Sequence, residues 1–243
     1  MQKTFLSLLA FLASAFLAFP SYADDGVLIF GATRNTGLEI AKILAARGEA
    51  VTAFVRPTSN LENLEPLGVE YFEGDAMNAE DVERAISAKN YKAIISTLGG
   101  GRGERPPDLV GTINIVDAMV KHGPKRILVV TVIGPGNSLS MVPAEQRVQL
   151  GRVIELKEEA ENYIIAADLD YTIIRPGQLT SNPRSGIIRL DLEPSPTGPV
   201  TRADLADQVV GAYDDDSTIK QIYQVIGNDP LMTGQRMDAP PGD

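Results

Sequence analysis

Short, unbroken apolar runs alternate with stretches of helical periodicity along most of the chain. Residues 27–30 are apolar at every position and lie between Gly26 and Gly31, the pattern of a strand covered on both faces. From Thr36 the apolar residues Leu38, Ile40, Ala41, Leu44 and Ala45 recur at the spacing of one helix face, and Gly48 closes the pattern. Residues 51–55 form a second buried strand. Strand, glycine turn, helix and strand within about 30 residues is the opening half of a Rossmann unit. The alternation continues with a strand at 69–72 ending in Gly74-Asp75, and a helix at 79–87 capped by Asn78. A strand at 91–97 runs into Gly99, Gly100, Gly101 and Gly103, followed by a helix from about 107 to 120 and a strand at 126–132. Beyond a loop at 133–138, the pattern predicts a long helix from about 143 to 167 and a strand at 171–174 closed by Arg175-Pro176-Gly177. Thr201-Arg202-Ala203-Asp204 reads as a capping box with Asp in the third-residue role, opening a helix to about 213, and residues 221–226 form a last strand.

This order predicts an α/β fold: a doubly wound parallel sheet in one domain over residues 24–228, with a small C-terminal substrate lobe. There is no internal repeat and no linker. Residues 229–243, rich in Pro, Gly and Asp, are expected to be a disordered tail.

The first residues break the alternation. Lys3 precedes an apolar run from Phe5 to Phe19, then Pro20 and the small-x-small ending Ser21-Tyr22-Ala23. This is the layout of a secretory signal peptide over residues 1–23, with cleavage after Ala23 and export, in a bacterial setting to the periplasm. The run is short for a membrane span of roughly 20 residues, so no stable span is expected after cleavage. A cytoplasmic location follows only if the leader reading fails.

Composition narrows the chemistry further. The 243 residues contain no cysteine, no tryptophan and one histidine, which excludes disulfides, cysteine nucleophiles and zinc sites built on thiolate or clustered His; no metal is expected. The single histidine, His122, falls in the loop after a helix and reads as a surface residue. A net charge of −10 is the wrong sign for a nucleic-acid binder. The partner expected is therefore a small molecule, and oligomeric state is left open.

The candidate ligand site is the turn Gly31-Ala32-Thr33-Arg34-Asn35-Thr36-Gly37. Gly31 suits a tight turn off the strand, Gly37 lets the helix approach the sheet, and the helix N-terminus offers amides and a positive dipole end to a pyrophosphate. Arg34 replaces the middle glycine of the dinucleotide pattern. The following strand ends in Arg56, where an acidic residue would accept ribose hydroxyls; an arginine there suits a 2′-phosphate. NADP is the cofactor expected, with NAD as the other candidate.

The pieces GATRNTG at 31–37, VR at 55–56, GD at 74–75, STLG at 96–99, VIGPGNS at 132–138, Lys157 with Glu161, IIRPGQL at 173–179 and TRADLA at 201–206 together resemble the atypical short-chain dehydrogenase/reductase superfamily. Within it, the chain resembles the NAD(P)-binding, NmrA-like and biliverdin reductase B (flavin reductase)-like branch, over residues 26–226. The resemblance implies that Gly31, Thr33, Arg34, Asn35 and Thr36 cradle the pyrophosphate and that Arg56 holds the 2′-phosphate. It implies that Asp75 and Ala76 flank adenine, that Thr97, Leu98 and Gly99 line the ribose and nicotinamide side, and that Thr131 to Gly134 and Pro176 to Leu179 wall the nicotinamide pocket.

Active members of the wider superfamily pair a Tyr with a Lys four residues later. Lys157 is present, but position 153 is Val. Lys157, Ser138 and Thr131 remain as candidate catalytic or hydrogen-bonding groups, while Glu158 and Glu161 read as solvated or paired helix-surface charges. The resemblance implies a reductase passing hydride from NADPH to a planar conjugated acceptor of flavin, biliverdin or quinone kind. The missing Tyr keeps a second function open, that of a non-catalytic NAD(P)-binding sensor or assembly protein. Export by the general route delivers an unfolded chain to a compartment expected to be poor in NADPH, which pulls against the first reading.

Overall fold

A computed structural model describes residues 26–100, 106–229 and 231. The leader expected at residues 1–23 and most of the expected tail lie outside these residues, as do Gly101 and Gly103.

Strands β1 (Val27–Phe30), β2 (Val51–Val55), β3 (Glu70–Glu73), β4 (Ala93–Ser96), β5 (Arg126–Val130) and β6 (Asp170–Arg175) run parallel in the order 3-2-1-4-5-6. The order reverses between β1 and β4, where Val27 stands opposite Val51 on one side and Ala93 on the other. A ligand crevice opens at such a reversal, outside the carboxyl ends of the strands. The sheet continues through β10 (Gln221–Gly227), parallel to β6, to β8 (Ile188–Asp191), which is antiparallel. The doubly wound parallel sheet expected from the sequence is present, extended at one edge by a single antiparallel strand. A separate two-stranded ribbon pairs β7 (Leu179–Thr180) with β9 (Val200–Thr201); together with β8 it forms the C-terminal lobe.

The unbroken apolar runs have a direct cause. Val27 and Ile29 face one helix layer while Leu28 and Phe30 face the other, and all four are fully buried. One layer holds α1 (Asn35–Ala46) and α5 (Arg202–Tyr213), through Ile40, Leu44, Leu205 and Val209. The opposite layer holds α2 (Ala79–Ser87), α3 (Val110–His122) and α4 (Ala144–Ala166), through Val82, Ile86, Ile115, Met119 and Ile164. The fold is doubly wound, and truncating any of these side chains to Ala removes about 2–5 kcal/mol.

Helix ends follow local chemistry. The Asn78 side chain accepts the Glu80 amide at the start of α2, as expected. Thr201 accepts the Asp204 amide at 3.0 Å at the start of α5. Asp204, however, does not complete the reciprocal half of a capping box; its carboxylate takes the amides of Ser185 and Gly186 and the Ser185 hydroxyl at 2.7–3.1 Å. The segment after β7 is therefore tied to α5 through one buried carboxylate. Burial raises the Asp204 carboxyl, but these hydrogen bonds outweigh it and hold the group below the usual carboxylate range.

Several boundaries move: β4 covers Ala93–Ser96 rather than 91–97, and β5 ends at Val130 rather than 132. The third helix begins at Val110 rather than 107. Asp229, expected to open a disordered tail, is buried, and its Oδ2 accepts from the Thr180 hydroxyl at 2.5 Å and the Asn182 amide at 2.8 Å.

Candidate functional site

The carboxyl ends of β1, β2, β4 and β5 open into a cleft of about 560 Å³, within the range of small-molecule sites. Its first half is built by β1, α1 and β2. Gly31 has φ +89°, and a Cβ there would come within 2.6 Å of the Thr97 hydroxyl. At Gly37 a Cβ would stand 2.2 Å from the Gly31 carbonyl. Both positions therefore require glycine, one for conformation and one for close approach of helix to strand. Asn35 occupies the left-handed region at φ 55°, which Asn tolerates better than most residues. Arg34 is the N-cap of α1, and no side chain caps the helix amides. The amide end of a 12-residue helix is left pointing at the cleft, the arrangement that receives a phosphate group.

Thr33, Arg34, Asn35 and Thr36 line this half, and Arg56 and Asp75 line its far end with the buried Ala76. Asp75 also acts as a turn residue, its Oδ1 accepting the Met77 amide at 2.9 Å. Ser59, which sequence reading missed, lines the same end, and its hydroxyl accepts the Arg56 amide at 3.1 Å. Among the described residues neither Arg34 nor Arg56 forms an ion pair, so this half presents two unpaired guanidinium groups, with the Asp75 carboxylate also on its lining. The glycine cradle, the uncapped helix and the two arginines fit an anionic dinucleotide.

The second half, built by β4, β5 and α4, is different. Lys157 lines it, buried, with its ammonium 2.9 Å from Asp108 and 2.7 Å from the Leu98 carbonyl. Asp108, another residue that sequence reading missed, is equally buried and lies just before α3. Thr97, Leu98 and Gly99 line the cleft here. The Thr97 hydroxyl is turned to the backbone, 3.3 Å from the Phe30 carbonyl and 3.4 Å from that of Gly31. Val153 lines the cleft one turn before Lys157, where a Tyr would stand in the superfamily pattern. Thr131 lines it too, but its hydroxyl donates to Glu161 at 2.7 Å.

Three expectations are corrected. Glu161 is no surface charge: it is 2% exposed and grips the buried Arg175 guanidinium, with Nη2 to Oε2 at 2.6 Å. Ser138 is fully buried outside the cleft, accepting the Gly134 amide at 2.8 Å and donating to the Pro135 carbonyl at 2.9 Å. It fixes its own loop and is not placed for catalysis. Pro176 does not line the cleft either; its carbonyl accepts the Ile133 amide at 2.7 Å, tying the loops after β5 and β6 together. Of the two exposed or half-exposed groups considered, Glu158 accepts the Gly136 amide at 3.0 Å and His122 sits 3.1 Å from Glu83 on the surface.

A strand order of 3-2-1-4-5-6 with a glycine cradle and free cations at its reversal defines a dinucleotide-binding Rossmann protein. The chain belongs to the NAD(P)H-binding family, whose model matches residues 31–216. Its structure is similar to that of ChuY, an anaerobilin reductase from Escherichia coli O157:H7, with a TM-score of 0.75 and 27% identity, covering 89% of this chain and 99% of that one. It is also similar in fold to a short-chain dehydrogenase/reductase from Veillonella parvula in complex with NADP, with a TM-score of 0.69 and 18% identity, covering 89% and 98% of the two chains. A curated relative, an uncharacterised chloroplastic protein of Arabidopsis thaliana, is 28% identical over 214 residues, which is 82% of this chain and 76% of that protein. The suspected atypical short-chain reductase branch is the one to which these relatives point.

Proposed function

We propose that the protein is an NADPH-dependent reductase acting on a planar, conjugated acceptor. The observation that carries this reading is Arg56 at the end of β2, uncommitted among the described residues and joined by Ser59 and Arg34 at one end of the cleft. A guanidinium there favours a 2′-phosphate, where a carboxylate would favour the free ribose. The similarity to a protein named as an anaerobilin reductase supports the reductase class.

The chemistry supplied by bound NADPH is a hydride from its nicotinamide ring. Gly31 and Gly37 admit the pyrophosphate to the α1 amides, and Arg34 and Arg56 hold the phosphate charges. The Lys157–Asp108 pair clamps the Leu98 carbonyl and fixes the floor of the second half. Val153 supplies no proton, and the Thr131 proton is directed at Glu161. With no acid of the tyrosine kind in place, the reading favours an acceptor that holds the incoming electron pair in its own conjugated system and takes its one proton from water. A flavin, quinone or linear tetrapyrrole has that property.

The test is NADPH oxidation by the mature protein with flavin and quinone acceptors. Turnover with either supports the reading. Tight NADPH binding without turnover favours a non-catalytic sensor, for which the occupied Lys157 and the Val at 153 are the supporting observations. We further propose that residues 1–23 are a cleaved export leader, which N-terminal sequencing of the native protein tests: Asp24 as first residue supports it, Met1 overturns it.

A further inference from the structure

The TRADLA segment contributes more than a helix cap. Arg202, first residue of α5, lines the cleft, and its Nη1 donates to the Ser181 hydroxyl at 3.0 Å and the Leu179 carbonyl at 3.4 Å. Most cations of this acidic protein are ion-paired. Among the described residues six are not: Lys125, Arg126, Arg147, Arg34, Arg56 and Arg202. Arg126 and Arg147 spend their guanidinium groups on backbone carbonyls. The last three all line the cleft.

Their places differ. Arg34 and Arg56 follow β1 and β2, in the half of the sheet that the dinucleotide phosphates occupy under the proposed function. Arg202 lies across the reversal point, held against β7 beyond the end of β6, on the side where an acceptor meets the nicotinamide. The contacts to Ser181 and Leu179 take one side of the guanidinium, leaving the Nε–Nη2 edge without a protein partner among the described residues. That edge is a planar, two-donor fork matched to a carboxylate.

We infer that Arg202 is a specificity-determining residue that binds a carboxylate carried by the acceptor, so that the substrate class is a conjugated ring system with an anionic side chain. This inference rests on the reductase reading.

The experiment compares menadione with the same naphthoquinone carrying a propionate, each assayed with NADPH on the wild-type protein and on Arg202→Met and Arg202→Lys. In the redox step NADPH gives a hydride and water gives a proton; the quinone becomes hydroquinone and the nicotinamide leaves as NADP⁺. The wild-type protein is expected to prefer the propionate compound in kcat/KM by about 10- to 100-fold, the size of a charge-assisted contact. Arg202→Met should bring that ratio to about one, and Arg202→Lys should restore part of it. A wild-type ratio near one, or a ratio unchanged in Arg202→Met, overturns the inference. A loss equal for both quinones and matched by weaker NADPH binding assigns Arg202 to the cofactor and also overturns it. If neither the quinones nor a flavin supports NADPH oxidation, the reductase reading fails by itself. Calorimetric binding of the two quinones then decides Arg202: tighter propionate binding that Arg202→Met removes supports the inference, and equal binding refutes it. FMN against riboflavin separates a carboxylate from a phosphate; discrimination confined to the FMN pair refutes the carboxylate.

Discussion

The two halves of the cleft treat charge in opposite ways. On the β1–β2 side, Arg34 and Arg56 form no ion pair among the described residues, and the end of α1 carries no side-chain cap. On the β4–β6 side, Lys157 is paired with Asp108 and Arg175 with Glu161, all four buried. A charge left unpaired at a solvent-open cleft costs the fold little and is available to a ligand. A charge paired below the surface is unavailable, and its removal strands a partner in low dielectric. The first half is thus built to receive the phosphates of a dinucleotide, while the second spends Lys157 and Arg175 on its own geometry and leaves Arg202 as its one unpaired cleft-lining cation among the described residues.

Substitutions should separate the halves, and the largest effect is expected in the second. Glu161→Leu leaves the Arg175 guanidinium buried and unpaired, and should cost about 3–5 kcal/mol in chemical denaturation. In the first half Gly37→Ala drives a methyl into the Gly31 carbonyl; overpacking there should cost about 1–3 kcal/mol and abolish NADPH binding by calorimetry. Arg56→Met should do the reverse of Glu161→Leu: stability within about 0.5 kcal/mol of wild type, but NADPH affinity lower by about 10- to 100-fold. Equal stability losses in Glu161→Leu and Arg56→Met would dissolve the distinction between the halves.

The smallest effect concerns the lobe beside the cleft. Asp204 is held below its ordinary range, so the folded state binds its proton less readily than the unfolded chain does. Its contribution is present above about pH 4, the range of an unfolded Asp, and is lost as pH falls through the lower folded value. Stability measured from pH 6 to pH 3 should fall on the acid side, and Asp204→Asn should flatten part of that fall.

The contrast between the halves also explains what the sequence disclosed. Apolar periodicity reports burial of apolar groups, so β1, α1, β2, α2 and α5 could be read closely from pattern and caps. The residues that line the β1–β2 half of the cleft could be read too, because they are local to one turn and one strand end. The other half depends on pairings between distant segments. Glu161 looks like any acidic residue on a charged helix until β6 brings Arg175 against it, and Asp108 gains meaning only when α4 delivers Lys157. Ser138 looked like a free hydroxyl because nothing in sequence shows that its partners are the backbone of its own loop. The β7–β9 ribbon consists of two-residue strands, too short for any periodicity. Arg202 was legible as a residue but was read only as part of a cap.

The central claim is that the β1–β2 half is a competent site for a 2′-phosphorylated dinucleotide. Calorimetric titration of the protein with NADPH and with NADH tests it most directly. The account predicts one site per chain, with NADPH bound at least about tenfold more tightly than NADH and that preference lost in Arg56→Met. Equal affinity for the two nucleotides, or no binding of either, would contradict it.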